Sequence, residues 1–227
     1  QRQMCIRDSP VFYARVDHVS VPLAKEGTGQ VVVDFTPEPL TQDVSFVFHI
    51  EKTADVVVDS LTAEISGIPS TMELTTGLIL AQKTYKLLFR PTYAALPSAA
   101  DSASAEALRC EASVNIPGIV RSHTEDMVTG PGILQIAIYT HYDYEEEGTQ
   151  RKAAKVFHAG INLYHTLKER KSLQWDEEEN GYRQASRSIT VEIGSPLNID
   201  KDGILNGGST STGLDQWIPG ETFEIEV

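Results

Sequence analysis

The sequence predicts an all-β protein, a β-sandwich with one short connecting helix. Apolar and polar residues alternate along much of the chain, the pattern of strands that bury one face. Clusters of Gly, Pro, Asn and Ser interrupt that pattern at short intervals, as turns do. One stretch alone suits a helix, so the apolar strand faces must cover one another, sheet on sheet.

The first clear strand lies around 44–50, where Val44, Phe46, Phe48 and Ile50 point one way and Ser45, His49 and Glu51 the other. Leu61, Ala63 and Ile65 alternate with Thr62 and Glu64, a run expected to end at the turn text Ser66-Gly67-Ile68-Pro69-Ser70. Further strands are expected over 84–90, 108–116, 133–144, 152–159 and 189–193. The last spans 222–227, with Phe223, Ile225 and Val227 on one face and Thr222, Glu224 and Glu226 on the other. Loops are expected at 27–29, 36–39, 94–107 and 131–132. The helix falls over 163–171, with Asn162 as its N-cap and Lys168, Arg170 and Lys171 at the end where the dipole favours cations. Within 173–188, Asn180-Gly181 is the pair that a type I′ hairpin demands, since both central residues need positive φ. A turn centred there pairs Glu178 with Arg183 and Trp175 with Ser186. Asp176, Glu177, Glu178 and Glu179 then form one arm of a projecting acidic ribbon.

Thirty-two acidic residues against 19 basic ones give the 227-residue chain a net charge of −13, which argues against partners held through phosphates, nucleic acid above all. A hydrophobic fraction of 41% with 22% charged residues is that of a globular protein. No apolar run approaches the ~20 residues that span a bilayer. Residues 1–9 resemble translated sequencing-adapter text and are set apart as a non-native leader. Residues 10–29 read as the remnant of a preceding domain or a linker, and 30–227 as the β-sandwich domain. With Cys5 set aside, Cys110 remains, sharing an apolar face with Leu108, Ala112 and Val114. It reads as a small buried hydrophobe, because a nucleophile needs a lowered pKa and a positioned base that nothing nearby supplies.

No arrangement of catalytic residues stands out, and the chain is read as non-enzymatic with no cofactor. The clustered carboxylates fall at loop tips, unsuited to the fixed separation a glycosidase requires. The six histidines show no His-Glu-x-x-His spacing; His141 and Asp143 share a strand face as a conceivable ligand pair without a third member. Neither a nucleophile elbow nor a nucleotide-binding glycine loop is present. The segment 198–206 approximates the start of a calcium loop, with Asn198, Asp200 and Asp202 as candidate metal ligands before Gly203. Its first position is Asn rather than Asp, and its twelfth is Ser209 where a bidentate Glu should stand, so a polar turn is the first reading.

Three stretches carry a resemblance to a known family. They are the run from Gln30 through Val31-Val32-Val33-Asp34-Phe35 to Leu40, the segment Ala63-Glu64-Ile65-Ser66-Gly67-Ile68-Pro69, and the tail with Gly207-Gly208, Trp217 and the alternating Glu221 to Val227. From about Val11 onward the chain resembles the fimbrillin-like proteins of anaerobic Gram-negative bacteria, the group of type V pilus subunits and minor-fimbrium anchor proteins. The resemblance implies a transthyretin-like, Greek-key β-sandwich, the second of two such domains. It implies an exported, non-enzymatic protein of the cell surface, lipid-anchored at the outer membrane when full length. Assembly or adhesion would proceed by strand addition between fimbrial subunits, with Phe223, Ile225 and Val227 as the strand-pairing residues. An ordinary last strand pairing within its own domain is the plainer expectation for the same residues, and Trp217 is expected to be a core or rim plug. The alternative function is a glycan-binding β-sandwich, calcium-assisted through Asp200 and Asp202, with Trp175, Tyr182, Tyr142 or Tyr144 stacking on sugars of host or microbial surfaces.

Overall fold

In a computed structural model, Val44, Phe46, Phe48 and Ile50 are each at most 1% exposed, side by side on one face of a long strand. The structure describes residues 12–14, 16, 18–20, 31–73, 78–96, 105–120, 132–169, 173–176, 181–184, 188–205 and 217–225. In chain order its elements are β1 (Phe12–Tyr13), β2 (Glu38–Pro39), β3 (Gln42–Thr53), β4 (Val56–Met72), β5 (Ile79–Phe89), β6 (Thr92–Ala95) and β7 (Ala105–Ile116). After these come β8 (Ile133–Glu146), β9 (Thr149–Asn162), α1 (Leu163–Glu169), β10 (Leu173–Asp176), β11 (Gly181–Gln184), β12 (Ser188–Glu192), β13 (Leu197–Ile199) and β14 (Ile218–Ile225).

The protein is an all-β sandwich. One sheet runs β10-β11-β5-β4-β8-β9-β14 and the other β12-β3-β7-β6, with β13 also on β3. Every pairing is antiparallel except those of β12 and β13, which follow one another parallel along β3. The inward faces meet in one core: Phe46 of one sheet stacks on Phe89 of the other, ring centroids 5.9 Å apart. Leu61, Ala63 and Ile65 of β4 and Leu134, Ile136 and Ile138 of β8 complete it from the larger sheet. The helix follows Asn162 directly and buries Leu163, Tyr164 and Leu167 against the same core, so it plugs the sandwich as well as connecting strands. Lys168 lies in its last turn; Arg170 and Lys171 lie outside the described residues. β1 pairs with β2 as a separate two-stranded ribbon, so Glu38 and Pro39, expected in a loop, form a short strand.

Three local expectations are corrected. Ser66 to Ser70 do not end a strand, because β4 continues through them to Met72. Its ladder with β8 stops at Ile65, so beyond that point β5 alone pairs with it and Pro69 breaks no ladder between two neighbours. Gly67, at φ 78°, turns the chain within the strand as a bulge. The Ala/Ser-rich stretch is shorter than 94–107, since Ala94 and Ala95 close β6 against Arg109 and Leu108 and Leu96 N–H donates to Ala107 O at 2.8 Å. Pairing with a long neighbour outweighs the weak strand propensity of Ala. The hairpin in 173–188 pairs Trp175 with Tyr182 and Asp176 with Gly181, a register four residues away from one centred on Asn180-Gly181. A four-residue connection replaces the two-residue turn, and the two aromatic residues occupy directly opposite positions, a favoured antiparallel pairing. Glu177 to Asn180 lie outside the described residues.

Candidate functional site

The terminal strand pairs within its own domain. β14 lies antiparallel to β9 at the margin of the larger sheet, with Phe223 opposite Val156 and Ile225 opposite Ala154. Val227 lies outside the described residues. Between Pro219, opposite Ala159, and Thr222, opposite Phe157, two residues of β14 face the single His158. Gly220 is one of them. A Cβ there would come within 2.9 Å of the His158 Cβ and 3.3 Å of its carbonyl oxygen, so the backbones approach only because the residue is glycine.

None of the described side chains of β14 enters the core. Ile218 is 43% exposed and Phe223 50%, and Gly220 and Thr222 are exposed as well. Phe223 rests on the outer face of the sheet, its ring perpendicular to that of His158 with centroids 5.6 Å apart. The residue just before the strand behaves oppositely: Trp217 is 2% exposed and belongs to the core, the plug its position suggested. A buried anchor thus holds the entry to a strand whose described side chains lie at the surface.

A second margin lies on the other sheet. β6 covers β7 only from Leu108 to Glu111. Ala112 to Asn115 have no strand beside them on that side among the described residues. A groove of about 480 Å³ lies beside this margin and reaches across the sheet, lined by Thr190 of β12, Ser45 and Val47 of β3, Glu111 and Ser113 of β7 and Thr92 of β6. Nothing in the alternation pattern marked this groove. The available signal was Pro91, directly after Arg90, which ends one strand and limits the length of the next.

The candidate metal loop is a tight turn. Asp200 Oδ1 accepts the N–H groups of Asp202 and Gly203 at 2.7 and 2.8 Å, Asp200 N–H donates to Gly203 O, and Leu205 N–H donates to Asn198 O. The side-chain oxygen thus closes the turn. The Lys155 ammonium donates to the Lys201 carbonyl at 2.8 Å, bringing positive charge against the loop. Asn206 and Ser209 lie outside the described residues. His141 is paired not with Asp143 but with Asp59 across the β4–β8 ladder, Nδ1 to Oδ1 at 2.8 Å. No group of three or more potential His, Cys, Asp or Glu ligands occurs among the described residues.

Of the aromatic candidates, Tyr142 and Tyr144 are neighbours on the projecting end of β8, ring centroids 6.2 Å apart, and Lys155 lies over the Tyr142 ring at 5.5 Å. Trp175 and Tyr182 are opposite in register in another hairpin, so the structure does not join the four into one platform. Cys110 is fully buried, and burial pushes its thiol up to about 12. No described helix is long and apolar enough to cross a membrane. Comparison with known protein families, characterised proteins and solved structures finds no match to this chain, so its geometry carries the functional reading.

Proposed function

We propose that the chain is a non-enzymatic fimbrial subunit or anchor protein that joins its neighbours by strand addition, β14 being the strand donated and the open margin of β7 the place that receives one. The observation that carries this reading is the exposure of Ile218, Gly220, Thr222 and Phe223 in β14. A strand whose described side chains are all exposed leaves its place at small hydrophobic cost, because burial of apolar area is what fixes most strands. Trp217 stays in the core when β14 leaves, so donation does not open the domain. At the margin of β7 an incoming strand meets Ala112 to Asn115, which have no strand beside them on that side among the described residues, and the groove lined by Thr92, Glu111 and Ser113 adjoins them. One donor and one acceptor at different places make a head-to-tail contact, the kind that propagates into a filament. The resemblance of the sequence to fimbrillin-like proteins supports the same reading. With it belong export to the cell surface, a lipid anchor at the outer membrane in the full-length protein, a role in adhesion, and transthyretin-like, Greek-key connectivity.

Disulfide trapping tests this reading. In a background with Cys5 and Cys110 replaced by Ser and Ala, Thr222→Cys and Ser113→Cys are introduced together and singly. Mild oxidation is expected to yield a ladder of covalent oligomers from the double variant, and none beyond dimer from either single variant. Monomer alone from the double variant at concentrations where the singles form dimers would overturn it.

A further inference from the structure

β6 has four residues, all of them exposed, and none belongs to the core. Thr92, Tyr93, Ala94 and Ala95 lie opposite Glu111, Cys110, Arg109 and Leu108 of β7. Leu96 N–H donates to Ala107 O at 2.8 Å, so by the alternation of an antiparallel ladder Ala107, Arg109 and Glu111 turn their main-chain groups toward β6. Ser113 and Asn115 continue that series past the end of β6, with no strand beside them among the described residues. The Thr92 hydroxyl donates to Glu111 O, and the Tyr93 hydroxyl reaches across to the larger sheet, 3.0 Å from Val58 O and 3.1 Å from Asp59 O. Those carbonyls stand at a bulge of β4, where Val58 lies opposite Thr140 and Ser60 opposite Tyr139, so Asp59 has no partner in the ladder with β8. One phenol thus fastens an otherwise exposed strand to the opposite sheet.

We propose that β6 is a placeholder strand that gives way to the strand arriving from a second copy of this chain. With β6 in place the open margin of β7 is Ala112 to Asn115; with β6 displaced it runs from Leu108 to Asn115, eight residues, which is the length of β14. The exchange begins on Ser113 and Asn115, which are open already, and advances along β7 as β6 peels away, so no long bare edge forms at any stage. Replacing the β6 ladder by the matching part of β14 is neutral in main-chain hydrogen bonds, because each group of β7 that one strand releases the other takes up. Side chains therefore decide the outcome. Ala fills two of the four places in β6 and is a weak strand former, whereas the Ile and Phe residues of β14 are strong ones. Against this stands the Tyr93 hydroxyl, whose bond to the β4 bulge must break before β6 can leave. The inference rests on the strand-addition reading and adds to it a gate on the receiving edge.

A reversible lock tests the gate. Tyr93 lies directly opposite Cys110 in a non-hydrogen-bonded pair, the arrangement that brings side chains closest, so Tyr93→Cys allows a disulfide that fastens β6 to β7. The full chain carrying Cys5→Ser and Tyr93→Cys is refolded from urea either with oxidised glutathione, which reaches Cys110 before it is buried, or with dithiothreitol. Sedimentation velocity follows self-assembly beside the Cys5→Ser parent, and melting temperatures check that each form is folded. The reduced form, which lacks the Tyr93 hydroxyl, is expected to assemble at least as readily as the parent, the oxidised form to lose most of its oligomer, and dithiothreitol to restore it. Equal assembly of the folded oxidised and reduced forms would overturn the gate and leave strand addition standing. Absence of assembly from the parent and from both forms would overturn strand addition, and the gate with it. In Tyr93→Phe the amides of Arg109 and Glu111 are expected to exchange about fivefold faster, the loss of one hydrogen bond, with those of Phe46 and Phe48 unchanged. Unaltered exchange at Arg109 and Glu111 would also overturn the gate.

Discussion

The indole of Trp217 stands edge-on to the ring of Phe48, with centroids 5.5 Å apart and planes at 67°. This contact ties the residue before β14 to the opposite sheet, whereas the ring of Phe223, six residues on, meets that of His158 on the outer face of its own sheet. Trp217→Ala removes a fully packed aromatic side chain and is expected to cost about 3–5 kcal/mol. Phe223→Ala removes a half-exposed ring and an aromatic contact worth about 0.5–1.5 kcal/mol. Urea titration of the two variants measures the difference. Equal losses would mean that β14 is as firmly bound as the core.

The close approach of Gly220 to His158 gives β14 a single point of steric sensitivity. The atoms a new Cβ would meet are a Cβ and a backbone carbonyl, which cannot swing aside as a long side-chain tip does. Gly220→Ala is expected to loosen the β14–β9 ladder and raise amide exchange in Thr222 and Phe223, while the Phe46 and Ile138 amides exchange as before. Uniform exchange changes across both sheets would place the strain in the core instead.

Much of this architecture was legible because period-two alternation reports which face of a strand is buried. Val44 to Ile50 and Leu61 to Ile65 lie as that pattern requires. The alternation in the last strand was equally clear, yet Phe223 faces outward, because alternation separates two faces without saying which one is covered. Gly67 and Pro69 read as a turn because their local preferences are those of turns. Their place in β4 depends on where the β8 ladder stops, which is a tertiary fact. The same limit hid a shallow cleft of Glu64, Thr84, Lys86 and Gln135, whose residues come from three strands and meet where β4 bulges.

The turn joining β8 and β9 is two residues long, Glu147 and Gly148, and both have positive φ, 53° and 75°. Such turns match the twist of the flanking strands, but Glu is a poor occupant of the left-handed region, where a side chain costs roughly 1 kcal/mol. Glu147→Asn and Glu147→Gly are each expected to stabilise the protein by about 0.5–1 kcal/mol. Thermal unfolding reads the gain directly, and a loss in both variants would show that the Glu147 side chain makes a contact the turn requires.

Cys110 sets an alkaline limit to stability. Burial holds its thiol at about 12, against an ordinary value of 9.0, so the folded state resists ionisation that the unfolded chain allows. The resulting stabilisation is complete below about pH 9 and declines as pH rises toward 12, because only the unfolded chain releases this proton over that interval. The native thiol is therefore expected to be inert toward iodoacetamide at pH 8 and to react when the chain is unfolded in urea. Cys110→Ala should flatten the alkaline part of a stability-against-pH curve without changing its neutral part in shape. Rapid alkylation of the folded protein at pH 8 would show that the thiol is neither buried nor shifted, and would place an opening between the two sheets at β7.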